Sequence, residues 1–389
     1  MIRTYKRKLI LNKAQEARIR SWVGACRVVY NLSLEIKIAA YKCNGSSVNK
    51  YELMKQLTEL RAETDWVEDV AVGCLQNSIE QLDRAYFNFL RNYSKGVGFP
   101  KFASKKTFKS ISFKPGLVKL KNGKVSLPKI GIVKIFKDEE IIGDIKRAVI
   151  KIDPTGFFIC LDCENVPKRF DSENQAVGLD MGLSFFCIDS NGNFINNPKH
   201  FKKHEDRLRV ENRSLARKKK GSNSWVKQAN KLALLHHKIA NVRSDFLQKE
   251  STKIAKGNSV VYMEDLNISG MVKNKSLSKH ILDCGWGMFK EMLSYKTTVV
   301  KVNPKYTSQT CSECGAVDSK SRISQSGFVC TSCGFISNAD VNAAKNIKEK
   351  GILLDRQSEP IGCASVLKSQ IRGMSDLIHE TLTNKLKSN

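Results

Sequence analysis

The chain has 389 residues, enough to bury a sizeable core and to form two or three domains, and its 66 Lys+Arg against 38 Asp+Glu give a net charge of +28. A protein this basic repels itself unless a polyanion neutralises it, and nucleic acid comes first because each phosphate contact by Lys or Arg releases condensed counterions. No stretch reaches the roughly 20 apolar residues of a spanning helix and no basic amphipathic anchor stands out, which argues against a membrane partner; MIRTYKRKLIL lacks the apolar core of a secretory signal, so a cytoplasmic location is expected.

Residues 1–12 are predicted as one strand, with Ile2, Leu9 and Leu11 among basic residues. Lys13–Tyr41 is strongly helical, because Ile19, Trp22, Val23, Cys26, Val29 and Tyr30 recur at helical spacing. CNGSS (43–47) reads as a turn, and helices follow at about 49–62 and 68–93. In the second, Leu75, Ile79, Leu82, Ala85, Tyr86 and Phe89 make one apolar face, whose aromatic members are assigned to core packing ahead of base stacking. At Gly96 the texture changes: residues 94–137 hold twelve lysines and no acidic residue. ISFKPG, LVKLKNGKVSLP and GIVKIFK alternate like short strands, and strands at about 145–152 and 156–163, joined by DPTG, continue them. Short strands with turn signals predict a small barrel. The terminal strand joins it, which leaves the helical block as an insertion. A charge run this long and single-signed points to nucleic-acid backbone contact rather than a merely solvated face, with Lys101, Lys105 and Lys106 as candidates.

ENVPKRFDSENQ (164–175) is a polar linker. After it AVGLDMGLSFFCI (176–188) is predicted as one strand, SNGN (190–193) as a hairpin turn, and Phe194–Ile195 as the start of the return strand. A long polar helical region is expected over 199–256. Its first part, 201–220, holds nine basic residues against three acidic ones, and Arg217, Lys218, Lys219 and Lys220 are further candidates for backbone contact. His236 and His237 are adjacent, cannot share a helix face as a ligand pair, and read as ordinary surface or groove residues. NSVVYMEDLNI (258–268) is a buried strand ending at Glu264, followed by a helix around 285–295, a strand over 299–304 and a helix over 339–350. Residues 351–389 are polar with weak periodicity and are expected to be loosely held, with 365–386 readable as an exposed helix.

Of the twelve cysteines, Cys26, Cys43, Cys74, Cys160, Cys163, Cys187, Cys284 and Cys363 lack ligand spacing and read as reduced thiols. Cys160 and Cys163 are three apart on a predicted strand, so they point to opposite faces and chelate poorly. The remaining four form C-x2-C-x15-C-x2-C: Cys311/Cys314 and Cys330/Cys333. This spacing presents four thiolates to a tetrahedral zinc from two turns, and Gly315 and Gly334 follow the second cysteine of each pair, where the turn favours positive φ. All four positions are filled by protein, so the zinc is expected to be structural.

Three carboxylates carry the chemical argument. Asp180 stands among Val177, Leu179, Leu183 and Phe185, where a lone carboxylate is costly without a partner or metal. Glu264 ends a later strand and Asp340 starts a helix. An Asp in the first strand, a Glu ending a later one and an Asp at a helix start match a ribonuclease-H-like nuclease. Such a fold gathers the three at one sheet edge, where hard oxygen donors hold two Mg²⁺ about 3.5–4 Å apart. Asp265 should face away from Glu264 and takes no role.

GLDMGLSFF, YMEDLNI, DCGWGMF (283–289), PKYTSQTCSECG (304–315), FVCTSCG (328–334) and ADVNAAKNI (339–347) together resemble the TnpB family, the OrfB-type RNA-guided DNA endonucleases of bacterial insertion sequences and relatives of compact type V CRISPR nucleases. LQNSIEQLDRAYFNFLR (75–91) and GFPKF (98–102) are similar to the family's N-terminal part, so the resemblance covers roughly residues 1–350. It implies a multidomain α+β protein. A wedge-type β-barrel would comprise 1–12 and 94–170, interrupted by a helical recognition lobe, 13–93. A RuvC-like (ribonuclease-H-like) α/β nuclease would comprise 171–305 and 336–350, with a zinc ribbon inserted at 306–335 and a tail at 351–389. It implies Asp180, Glu264 and Asp340 as catalytic Mg²⁺ ligands, and the four ribbon cysteines as Zn²⁺ ligands. It also implies a guide RNA from the element's own end, a double-stranded DNA target cut beside a short motif, and a monomer in the complex. Tyr51, Gln76 and Asn77 fall at motif-reading positions. The chain departs from the pattern at Asn338, where members often carry Asp; Asn338 is read as a helix cap. The readings weighed against guided cutting are a nuclease-silent guided repressor, an unguided transposase or resolvase of the same fold, and a plain zinc-ribbon binder.

Overall fold

The computed structural model describes residues 2–136, 140–166, 170 and 175–358, and the chain forms two compact units. The first gathers Met1–Lys168 with Glu211–His237, the second Arg169–Val210 with Lys238–Asn389.

In the first unit β1 (Arg3–Ile10) buries Tyr5, Arg7 and Leu9 on one face. Asn12 then starts α1 (Lys13–Asn44) with a capping box: its side chain accepts from the Gln15 backbone (2.8 Å), and the Gln15 side chain accepts from the Asn12 backbone (3.2 Å). Asn49 and Glu52 repeat the device at α2 (Lys50–Glu63), and α3 (Asp65–Glu68) and α4 (Val72–Asn92) follow. Leu75, Ile79 and Leu82 of α4 are fully buried, as the apolar stripe predicts, while Phe87 and Leu90 beyond it are exposed. The strands are β2 (Ser110–Phe113), β3 (Lys119–Lys121), β4 (Lys124–Leu127), β5 (Gly131–Ile135), β6 (Asp144–Asp153) and β7 (Gly156–Glu164). They form a sheet of order β2-β6-β7-β1-β5-β4-β3, antiparallel throughout. β1 sits between β7 and β5, so the helices α1–α4 interrupt one sheet in sequence. Cys163 is buried on β7 and Cys160 half-exposed on its other face.

In the second unit the run expected as one strand is two, β8 (Ala176–Met181) and β9 (Phe185–Asp189). The chain reverses at Gly182–Ser184, with the Gly182 N–H donating to the Phe186 carbonyl (3.2 Å). β10 (Phe194–Asn196) completes the meander through the expected turn at 190–193. The helical region is likewise two helices, α5 (His200–Ala216) and α6 (Asn223–Gly257), broken at Arg217–Ser222, where Gly221 takes φ 90°; residues 211–237 of this region belong to the first unit. Then come β11 (Val260–Glu264), α7 (Ile268–Met271), α8 (Ser278–Cys284), α9 (Trp286–Ser294) and β12 (Thr298–Val302). The sheet order is β10-β9-β8-β11-β12, with β8, β11 and β12 parallel and β9 antiparallel to β8. One face is covered by Phe186, Leu247, Phe289 and Leu293, with the Phe186 and Phe289 rings edge to face at 4.9 Å.

β13 (Gly327–Val329) and β14 (Ile336–Asn338) form a separate hairpin that runs into α10 (Ala339–Ser358). This helix extends past the expected end at residue 350, so 351–358 is not part of a loose tail; the tail beyond 358 lies outside the described residues. Two glycines let α10 lie tight on the sheet. A Cβ at Gly178 of β8 would run into the Ala344 carbonyl and the Lys348 backbone, and one at Gly351 into the Tyr262 ring. The obstruction at Gly178 is backbone and cannot swing aside, so Gly178→Ala is expected to cost about 2–3 kcal/mol, read as a lower denaturation midpoint of the second unit.

Candidate functional site

The sheet reverses direction of growth at β8, with β9 on one side and β11 on the other. In open α/β sheets the crevice outside the carboxyl ends of the strands at such a switch point is where ligands bind. Leu179 pairs with Met263, so the next residues, Asp180 and Glu264, emerge together at that edge. Asp340, second residue of α10, joins them because the helix is laid across β8. All three line one cavity of about 360 Å³, with Thr307, Arg322 and Gln325.

The electrostatics follow from the crowding. Burial pushes the Asp180 carboxyl up to about 7, and the charges of Glu264 and Asp340 add to it, while Arg322 and the Met181 backbone N–H pull the other way. Burial also raises Glu264, opposed by the Thr307 hydroxyl and the Lys350 ammonium. Thr307 Oγ1 donates to Glu264 Oε1 at 2.6 Å, which commits one carboxylate oxygen. Arg322 donates to Asp340 Oδ1 at 3.0 Å from the loop before β13. Asn338 caps α10 as its position predicts: Oδ1 accepts from the backbones of Asp340 (3.0 Å) and Val341 (3.2 Å). Asp265 faces away and is exposed, paired with Lys301 at 2.9 Å. Three carboxylates, hard oxygen donors crowded into one cavity, suit a divalent cation.

The four ribbon cysteines also converge, with their sulfurs all within 4.8 Å of one another. Cys311–Cys333 and Cys314–Cys330 are each 3.7 Å apart. A tetrahedron of Zn–S bonds of about 2.3 Å sets sulfurs roughly 3.8 Å apart, so the donor set fits zinc. Each pair sits on the same turn: Gly315 N–H donates to the Cys311 carbonyl and Gly334 N–H to the Cys330 carbonyl, both at 3.0 Å, with φ of 75° and 73°. Asn342 and Asn346 on α10 clamp the start of the four-cysteine segment. Their amides donate to the Thr307 and Thr310 carbonyls, and Asn342 Oδ1 accepts from the Ser312 backbone.

The other sequence candidates lie in the first unit. Tyr51 is exposed on α2 and Gln76 half-buried on α4. Asn77 is partly committed, its amide donating to the Ser112 carbonyl at 2.9 Å and tying α4 to β2. Lys101, Lys105 and Lys106 are exposed, Lys106 lying 4.8 Å over the Trp225 ring. Lys105 lines a groove of about 820 Å³ with Arg20, Arg27 and Lys109. Arg217, Lys218, Lys219 and Lys220 occupy the break between α5 and α6. Arg322 and Thr307 were not among the expected site residues. Thr307 carries a weak signal, following a strand end in PKYT; Arg322 has none, standing in a polar loop without periodicity.

Three family models match the chain. They are described as a probable transposase of OrfB type (residues 158–275), a Cas12f1-like TNB domain (286–347) and a helix-turn-helix domain (1–46). InsQ of Escherichia coli (strain K12), provisionally named an RNA-guided DNA endonuclease, is 34% identical over 380 residues, which span 90% of this chain and 92% of InsQ. The chain belongs to the TnpB family of RNA-guided DNA endonucleases. A further TnpB relative, the CRISPR-associated endodeoxyribonuclease Cas12f1 of Sulfoacidibacillus thermotolerans, is 31% identical over 199 residues, 45% of each chain. The fold is shared with a Cas12f1 chain solved in a complex with sgRNA and target DNA, at a TM-score of 0.54 and 16% identity over 87% of this chain and 83% of that one. In this TnpB-family chain, residues 1–46 form one strand and one continuous helix rather than two helices about a turn.

Proposed function

We propose that this protein is an RNA-guided, Mg²⁺-dependent endonuclease that cleaves double-stranded DNA beside a short motif. The observation that carries this is the meeting of Asp180, Glu264 and Asp340, from segments up to 160 positions apart, in one cavity at the switch point of the sheet. In this reading the second unit's sheet is the RuvC-like, ribonuclease-H-like nuclease core, 171–305 with 336–350, and 306–335 is the inserted zinc ribbon. The first unit's sheet is the wedge-type barrel, 1–12 with 94–170, and 13–93 is the recognition lobe. Tyr51, Gln76 and Asn77 are assigned to motif reading. Lys101, Lys105, Lys106 and Arg217–Lys220 are assigned to nucleic-acid backbone. The guide RNA derives from the element's own end, and the complex holds one copy of the chain.

Asp180, Glu264 and Asp340 would hold the divalent ions, which supply an activated water and charge neutralisation at the leaving oxygen. The chain's own contribution is placement. Thr307 fixes Glu264 by one oxygen. The Asn338 cap and Arg322 fix the first turn of α10, and Gly178 lets α10 seat Asp340 against β8. Cys311, Cys314, Cys330 and Cys333 would hold one zinc, which closes the ribbon and takes no part in the chemistry.

The test is cleavage of a plasmid library bearing a matching target beside randomised flanks, with the protein co-expressed with RNA from its own flanking DNA. Ends beside one short motif, dependent on Mg²⁺ and guide, are expected. Motif-dependent retention without ends would make the protein a silent guided repressor, and neither signal would leave unguided recombination.

A further inference from the structure

A second cavity opens beside the acidic one. It measures about 230 Å³ and shares two wall residues with it, Leu183 and Ser184 of the β8–β9 turn. Beyond that shared wall its lining changes sign: Lys199, Lys202 and His280 face it, with Asn197 and Asp283. The single carboxylate is already committed. Asp283 Oδ1 accepts from Arg243 at 2.8 Å and Oδ2 from the Phe201 backbone at 2.8 Å, so it does not cancel the lysines. Asn197 builds the wall. Its amide donates to the Leu183 carbonyl at 2.8 Å, and its Oδ1 accepts from the Lys199 backbone at 3.1 Å. That bond accompanies a left-handed Lys199, φ 48°, a conformation a non-glycine residue adopts at a cost of about 1 kcal/mol and that recurs at functional sites. The turn that borders the carboxylates is thus held by the same side chain that places a cation on the far side.

We propose that this basic cavity seats a backbone phosphate of the DNA strand being cut, next along the strand from the bond held at the acidic cavity. The inference rests on the nuclease reading above. A strand lying in the acidic cavity places another phosphate within one nucleotide step of it, and three carboxylates repel that phosphate even when cations serve the scissile one. Two lysines beyond a shared wall supply the opposite charge where the strand must continue. Lys199 and Lys202 are therefore positioning residues: they fix which bond enters the acidic cavity.

The test uses the full chain with its guide RNA and a target whose cut strand carries one neutral methylphosphonate, walked across the cleavage position. In the double variant Lys199→Ala/Lys202→Ala, the single-turnover cleavage rate on saturating target should fall about tenfold, with guide and target binding unchanged. The salt slope of that rate should fall by about 0.7, the value for one lost single-strand phosphate contact. Arginine at both positions should restore both values. One methylphosphonate position should slow the wild type and leave the double variant unaffected, because the contact is already gone. A double variant equal to wild type, equal loss of guide binding, or a methylphosphonate cost identical in both proteins would overturn the proposal. A wild type that cuts no substrate would instead sink the nuclease reading.

Discussion

Asp180→Ala is expected to abolish cutting while the protein still binds guide RNA and target. Removing one of three ligands from the shared cavity should cost roughly a thousandfold or more in rate, about 4 kcal/mol of transition-state stabilisation. The same position should show the opposite sign in stability. In the folded chain Asp180 holds its proton up to about pH 7, against about 3.9 for an ordinary Asp. Below the lower value both states are protonated. As pH rises through the window the unfolded chain ionises first, so without divalent ions the folded state loses stability from about pH 4 to about pH 7. The full shift corresponds to about 4 kcal/mol, and sharing of charge among the three carboxylates brings the expected loss nearer about 2. Asp180→Asn should therefore raise Tm by roughly 5 °C in EDTA at pH 8 and leave it unchanged at pH 4. Saturating Mg²⁺ should narrow the gap, because the wild type then has its counter-charge and the variant does not. Calorimetry at the two pH values checks this; a lower Tm for the variant at pH 8 would mean that Asp180 is a structural ion pair.

Cys311→Ser should bring zinc from one equivalent per chain to near zero and unfold the ribbon. The reason is the size of the ribbon's own core: Phe328 is its one large fully buried apolar side chain, packed with Cys311, Cys330 and Ala339. So small a cluster cannot offset the entropy of ordering the ribbon, and metal binding supplies what is missing. Because Arg322 and the Asn342 and Asn346 clamps tie the ribbon to Asp340 and α10, cutting should fall in the same variant. Asp180→Ala should keep its full zinc. Metal analysis of both proteins separates the two, and zinc well below one equivalent in the wild type would refute the ribbon assignment.

The parts of the site visible in sequence are those where chemistry fixes spacing or where polarity breaks a pattern. Two Cys-x-x-Cys pairs announce themselves, and Asp180 stands out as a carboxylate between Leu179 and Met181. The misread elements share a different cause. AVGLDMGLSFFCI stays apolar across Gly182–Ser184, so its reversal is invisible to hydropathy and exists because Phe186 must return to the same core. The break at Arg217–Ser222 begins in a lysine run, and its turn signal is the short Gly221–Ser224 stretch after it. The helix expected over 339–350 runs on to Ser358, and Gly351 within it answers to the Tyr262 ring packed against it. Arg322 was illegible because its partner, Asp340, is local only in space.

α10 has a bearing on which changes of length this chain tolerates. One stripe of the helix (Ala344, Ile347, Gly351) meets the sheet and another (Asn342, Asn346) the ribbon root, while its first turn carries Asp340. At 3.6 residues per turn, inserting a single residue between 341 and 345 rotates everything after it by about 100°. That would carry Asn346 off the Thr310 carbonyl and Gly351 off Tyr262, whatever residue was inserted. Exposed positions of this helix are therefore free to vary in identity but not in number, and surviving relatives should differ there by substitution alone, with insertions and deletions confined to the loops on either side.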